Sequence, residues 1–212
     1  ETYSEVQAVS SLTDVAKEDV VVIAIPPSAV GEVLNQIREA LPPETIIVSL
    51  APKVTSQSLS QMLNGFSRIV RMIPNAPSIV GKGYNPIAFA ASIGADSRRK
   101  CKDLFAPLGD IPEVDEQHLE AYAVITAMGP TYLWPQLYEL ESLAESFGLS
   151  PEAATDAVAK MAQGTAATME ESGLSAQEVQ NLIPAYPMAD ETDSLVKAYR
   201  CKLDELYKKL SP

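Results

Sequence analysis

The sequence predicts an α/β part followed by an all-α part, and three observations carry that reading. Short β-branched runs alternate with stretches of helical spacing up to residue 114. From Asp115 the strand signal stops and helical periodicity continues to the end. Charge divides at the same place: residues 1–114 hold 10 basic and 12 acidic side chains, net −2, whereas residues 115–212 hold 6 and 16, net −10. A length of 212 residues suits one large or two small domains. The boundary is therefore drawn as an α/β domain over 1–114 and a helical domain over 115–212.

Residues 19–25 (Asp-Val-Val-Val-Ile-Ala-Ile) form a continuous β-branched run, the pattern of a strand buried on both faces of a parallel sheet. Pro26-Pro27 ends it, and Val30, Val33, Leu34 and Ile37 mark one face of a helix over 28–40. The second and third strands are read at Thr45–Leu50 and Ser67–Met72, with a short helix over Ser56–Leu63 between them. Pro74-Asn75-Ala76-Pro77 reads as a rigid, non-helical loop. A fourth strand is expected at Pro86–Ala91, a helix with a basic patch at Ser97–Pro107, and a last short strand at Ile111–Val114. Alternation of this kind predicts βαβ units and a parallel sheet with right-handed crossovers.

In the second part Asp115 is the expected N-cap of a helix ending near Ala127, and Gly129-Pro130 breaks it. A long helix follows from Thr131 to Phe147, with Gly148 at its C′ position. Ser150-Pro151 places an N-cap serine and an N1 proline at the start of a helix over 151–171 rich in small residues, mostly alanine. Ser175-Ala-Gln-Glu178 spells a capping box. Pro184 and Pro187 interrupt the next helix, and a charged amphipathic helix runs over Asp193–Leu210.

Composition removes several function classes. One histidine, His118, excludes any site that needs two. Cys101 and Cys201 make no Cys-x-x-Cys pattern, so no cysteine-rich zinc site is expected and no metal site is assigned. A reducing, cytoplasmic setting is the default for such a chain. A net charge of −12 argues against nucleic acid as a partner, and no apolar run is long enough to span a membrane.

The strand ends carry the first functional signal. Ligands of open α/β sheets sit at the carboxyl ends of the strands, which here read Ala24-Ile25-Pro26-Pro27, Ser49-Leu50-Ala51-Pro52 and Met72-Ile73-Pro74-Asn75. These are either ordinary β-to-α turns or the walls of a ligand crevice. Gly81-Lys82-Gly83 lacks the strand-to-helix context of a phosphate loop and reads as a turn. The Gly129-Pro130-Thr131 step is a plain interhelical turn or a helix start that holds an anion. His118 reads as a surface residue, and Trp134, Leu137 and Tyr138 as core or subunit contact.

Taken together, the segments 19–34, 46–59, 71–83, 114–134 and 172–183 resemble, in order and spacing, the pyrroline-5-carboxylate reductase family and a wider group of NAD(P)-dependent oxidoreductases. That group includes chains called coenzyme F420-dependent NADP oxidoreductase-like. The resemblance implies a partial Rossmann domain followed by a helical domain of the 6-phosphogluconate-dehydrogenase type. It also implies NADP or NAD as cofactor, a small-molecule substrate and a homodimer formed through the helical domain. Ile25, Pro26, Pro27, Ser49, Ala51 and Asn75 would line the dinucleotide, with Asn75 by the nicotinamide. Asn75, Gly129 and Thr131 would form the catalytic set facing the substrate.

Three departures from the family pattern shape the expectation. Its glycine-rich loop is expected upstream of Glu1, roughly 60 residues of strand and helix at about 30 per unit, and without it dinucleotide affinity should be poor. Its Ser-Pro-Gly-Gly-Thr-Thr loop, which grips the substrate carboxylate, is replaced by a segment running from Pro184 to Thr192 that carries Asp190 and Glu191. Ala127-Met128 replaces small residues before the Gly-Pro turn, and Pro52-Lys53 replaces Ala-Gly. The substrate is therefore expected to differ from pyrroline-5-carboxylate. The alternative is a non-catalytic dinucleotide-binding or regulatory protein of the same fold.

Overall fold

The computed structural model describes residues 6–211. A short helix, α1 (Leu12–Val15), is capped by the Ser11 hydroxyl and leads into β1 (Val20–Ile23). Then follow α2 (Pro27–Ile37), β2 (Ile46–Ser49), α3 (Ser56–Met62) and β3 (Ile69–Met72). The next elements are β4 (Gly83–Tyr84), β5 (Ile87–Phe89), α4 (Ala95–Phe105), β6 (Gly109–Asp110) and α5 (Leu119–Tyr122). Three long helices and a short one follow: α6 (Gly129–Ser146), α7 (Pro151–Glu171), the short α8 (Ala176–Gln180), and α9 (Thr192–Leu210). Two compact units result, one of residues 6–128 with 205–211, the other of residues 129–204.

In the first unit the main sheet has the order β1-β2-β3-β5. The first three strands are parallel, in the register Val21↔Ile47↔Ile69. Alternate residues point to opposite faces. Val21, Ile23, Ile47 and Ile69 pack with Val30, Leu34 and Ile37 of α2 and Leu59 of α3. Ile46, Val48, Val70 and Met72 pack with Ile87 of β5 and with Cys101 and Phe105 of α4. Both faces are thus covered, which is why β2 and β3 read as mostly apolar runs, broken in β3 by Arg71.

Three expectations need correction. The run over 19–25 is not buried on both faces throughout: among the described residues β1 pairs with β2 alone, and Val22 is 41% exposed. The fourth strand pairs antiparallel to β3, with Arg71 opposite Ala88. No crossover helix links β3 to β5, only a 3₁₀ turn over Ala76–Val80 within the loop read as non-helical, and a parallel pairing needs a crossover of a dozen or more residues. The strand expected at 111–114 contracts to a single bridge, Ile87 to Glu113, while β6 pairs with β4 in a separate two-stranded ribbon.

That ribbon depends on two glycines. Gly83 and Gly109 are register partners, and a Cβ on Gly109 would strike the Gly83 backbone. Gly109 also holds φ at +120°, where side chains are strained.

In the second unit the sequence signals hold closely. The Ser150 hydroxyl accepts a 3.2 Å bond from the Ala153 amide, and Gly148 takes φ of +100° at the end of α6. Both halves of the Ser175–Glu178 capping box form. Only Ala154 and Val158 are buried apolar residues among the described residues of this unit. No helix is long and apolar enough to cross a membrane, and no group of three or more potential metal ligands is found, among the described residues.

Two alanine substitutions should act with opposite sign. Gly109→Ala forces the β4–β6 backbones apart and is expected to cost about 1–3 kcal/mol. Gly31→Ala in α2, where an added Cβ meets nothing within 4 Å, should stabilise by about 0.4–1 kcal/mol. Urea denaturation midpoints moving in opposite directions would check both.

Candidate functional site

Because β1, β2 and β3 are parallel neighbours, the loops that leave them emerge along one edge of the sheet. Ile25, Pro26, Pro27, Ser49, Ala51 and Asn75 all fall on that edge. Pro26 precedes α2 with no side-chain cap, and Pro27 occupies its first turn, where a missing N–H costs nothing. The first turn of α2 carries no acidic residue. Ser49 and Ala51 are buried, and the Ser49 hydroxyl accepts a 3.3 Å bond from the Ala51 amide. Their side chains therefore set the path of the loop from inside rather than facing outward.

Asn75 is the hub of the third loop. Its Nδ2 donates to the Thr126 carbonyl at 3.3 Å, and its Oδ1 accepts from the Tyr84 amide at 3.0 Å. Its own amide donates to Asn85 Oδ1 at 3.1 Å, which also accepts from the Ser78 hydroxyl at 2.8 Å. Asn85 is fully buried, and its backbone amide bonds the Asp110 carbonyl at 2.8 Å. One side chain therefore joins the β3 exit, the β4 strand and the helical segment that follows β6.

That helical segment differs from the single helix expected over 115–127. It begins as a 3₁₀ turn (Glu116–His118), continues as α5, and widens into a π turn over Ala123–Ala127. Asp115 makes no side-chain cap. The Thr126 hydroxyl bonds back to the Tyr122 carbonyl at 2.8 Å, and the Thr126 carbonyl is drawn to Asn75. Such competition with the regular ladder accompanies a local change of pitch. His118 is exposed, as read from sequence, on the rim of a groove with Phe89, Arg98, Glu113 and Tyr122. Within that groove Arg98 and Lys102 pair with Glu113, and Lys102 first, then Arg98, holds its carboxyl below the usual range. Gly129 and Thr131 open α6, the first helix of the second unit.

Sequence reasoning missed a cluster behind the second loop. Arg71, the in-register neighbour of Ser49, is 1% exposed. Its Nη2 donates to Glu120 Oε1 at 2.7 Å and its Nη1 to Glu116 Oε1 at 3.1 Å. The same two oxygens accept backbone amides of the loop after β2, Lys53 at 3.1 Å and Ser56 at 2.6 Å. Lys53 holds a left-handed φ of +69°. A signal was present: Arg71 is a lone cation in a buried strand, and such a charge requires a paired carboxylate. Glu116 and Glu120 offered two, one helical turn apart.

The comparisons agree with this architecture. Residues 1–53 match the sequence model of the family described as NADP oxidoreductase coenzyme F420-dependent. The pyrroline-5-carboxylate reductase of Corynebacterium melassecola is 27% identical over 165 residues, 76% of this chain and 61% of that protein. That of Pseudomonas aeruginosa is 26% identical over 192 residues, 90% of this chain and 70% of that protein. Among solved structures, Plasmodium falciparum pyrroline carboxylate reductase with NADP bound superimposes with a TM-score of 0.83 at 20% identity, over 100% of this chain and 82% of that one. A Coxiella burnetii pyrroline-5-carboxylate reductase gives 0.68 at 24% identity, over 95% and 76%. In sequence, then, this chain is similar to pyrroline-5-carboxylate reductases, of which it spans only part of the length, and it shares their fold of a Rossmann-like sheet followed by helices.

Proposed function

We propose that the chain serves as an NAD(P)-dependent oxidoreductase acting on a small imine or carbonyl compound other than pyrroline-5-carboxylate. The observation that carries this reading is the convergence of three loops free of acidic residues, Ile25–Pro27, Leu50–Thr55 and Ile73–Asn75, at the carboxyl edge of a parallel sheet. That edge fits the nicotinamide half of a dinucleotide: it offers backbone and stiff apolar surface, with no carboxylate in the loops to repel a phosphate-bearing ligand. The Plasmodium falciparum structure of the same fold, which is described with NADP bound, supports the cofactor.

Ile25, Pro26, Pro27, Ser49 and Ala51 would line the cofactor, and Asn75 would fix the loop beside the nicotinamide. A bound reduced nicotinamide supplies the hydride, so the chain's own task is orientation and exclusion of water. Gly129 and Thr131 would meet the substrate. The identity of that substrate turns on the segment before α9, where Asp190, Glu191 and Asp193 crowd the helix start. Carboxylates at a helix N-terminus neutralise its attraction for an anion. The Tyr186 hydroxyl is bonded to Thr192 Oγ1 at 3.0 Å rather than turned to a ligand. A substrate lacking a carboxylate suits this segment better than one bearing it.

A homodimer through the helical unit belongs to the same proposal. Leu133, Tyr138, Phe147, Met169, Ile183 and Tyr186 are all more than half exposed. Apolar surface on this scale is unusual on a monomer and suits an interface with a second copy.

Three measurements test the reading. Calorimetry on the full-length gene product should detect NADPH or NADH, and absence of both heats would refute it. Asn75→Asp keeps the acceptor for Tyr84 but turns an oxygen toward the Thr126 carbonyl, so stability should fall by about 1–3 kcal/mol and turnover with it. Light scattering should give a dimer that Tyr138→Glu with Phe147→Glu converts to monomer; an unchanged dimer mass would place the interface elsewhere.

A further inference from the structure

We propose that Glu120, locked in place by the buried Arg71 and seconded by Glu116, is a positioning residue that holds the loop after β2 in the strained shape the cofactor edge requires. This rests on the proposal that the edge receives a dinucleotide. The loop runs from Leu50 to Thr55, and its backbone turns through Lys53 at φ +69°. A lysine there is unfavourable, since only glycine takes that conformation without a Cβ clash. A strained residue persists where its surroundings over-determine it.

The surroundings here are carboxylates from a segment sixty residues and more downstream. Glu120 Oε1 accepts the Lys53 amide and Glu116 Oε1 the Ser56 amide. Neither carboxylate is free to move, because each of these oxygens is also bonded to Arg71. Arg71 in turn is fixed by its place in β3 between Ser49 and Ala88. The chain of contacts thus runs from the sheet through a guanidinium and a carboxylate to the one strained peptide of the loop. Charge-assisted bonds of this kind are about twice as strong as neutral ones, which suits them to hold backbone strain. Ala51 and Val54 of the loop are buried and Lys53 is exposed, so the backbone path that this clamp sets also sets what the loop presents to a ligand.

The test is amide hydrogen exchange together with NADPH titration on the full-length gene product, for wild type, Glu120→Ala, Glu120→Gln, Lys53→Gly and the Lys53→Gly/Glu120→Ala double variant. Glu120→Ala should speed exchange at Lys53 about tenfold, leave β2 and β3 amides protected, and raise the NADPH Kd about fivefold or more. Glu120→Gln keeps one acceptor oxygen and should fall between. Lys53→Gly/Glu120→Ala should recover most of the affinity, because glycine takes the turn without help. If Glu120→Ala unfolds the chain, Glu120→Gln against Lys53→Gly/Glu120→Gln gives the same comparison. An unchanged Kd and exchange rate in the glutamate variants, or an affinity loss that Lys53→Gly does not relieve, overturns the clamp. If wild type binds neither NADPH nor NADH, the cofactor reading fails by itself, and exchange at Lys53 still decides whether the clamp exists.

Discussion

A guanidinium sealed inside a protein must be met by negative charge, and meeting it fixes whatever carries that charge. Arg71 is 1% exposed, one residue from the end of β3, and its two carboxylates lie on a segment that begins forty-five residues later. Desolvating such a pair costs several kcal/mol, and the attraction inside the protein repays it only when geometry is good. The contribution is therefore less to net stability than to uniqueness. Once Arg71 sits in the sheet, Glu116 and Glu120 have one place to go, and α5 must lie over β3 and β5, where Leu119 and Ala123 pack on Ile73 and Ala88. The loop after β2 is then drawn to the same oxygens. One buried charge thereby relates three stretches distant in sequence.

Asn75 performs a neutral version of the same task. Its carboxamide joins the β3 exit to β4 on one side and to the π turn on the other. The reversal of direction after β3 makes such a tie necessary: β5 returns antiparallel, so the segment between must fold tightly rather than cross over a helix. Ser78 and Asn85 fill the inside of that fold, and Gly83 leaves them room, since a Cβ there would meet both side chains. The sheet edge proposed for the cofactor is consequently rigid at its second and third loops, one held by charge and one by amide bonds. Rigid supports of this kind are what orientation of a reactive ring demands.

Much of this was legible in the residues, for reasons that differ by element. β2 and β3 are short, largely apolar runs buried on both faces, and α7 begins at a serine cap and N1 proline whose chemistry is local. Signals of that kind survive any tertiary context. The orientation of β5 was not legible, because Pro86–Ala91 reads alike in either direction and only the missing crossover helix argues for reversal. The π turn has no periodicity signature at all, since it arises where Thr126 and Asn75 compete with the helix ladder. For the candidate site, the residues along the strand ends were legible from topology alone. Arg71 was visible as an anomaly, but its partners could be found only by asking where a buried charge goes.

The helical unit obeys a different economy of burial. With Ala154 and Val158 as its only buried apolar side chains among the described residues, residues 129–204 bury too little to offset the conformational entropy of ordering some seventy residues at about 1–2 kcal/mol each. Its exposed residues are nonetheless not those of a solvated helix bundle. Leu133, Phe147, Ile183 and Tyr186 stand among carboxylates such as Glu139, Glu141 and Glu145. A surface that is both acidic and apolar repels casual association while leaving a defined area to be covered, provided the apolar positions meet apolar partners and the carboxylates stay at the rim. The same acidity would oppose an anionic ligand near Asp190 and Glu191, whereas the first part of the chain, near neutral overall, would not oppose the dinucleotide proposed for it. Under the proposed function, the partition of charge between the two parts would serve two demands on one polypeptide: that its sheet edge admit a phosphate-bearing ligand, and that its helices meet a second copy of the chain.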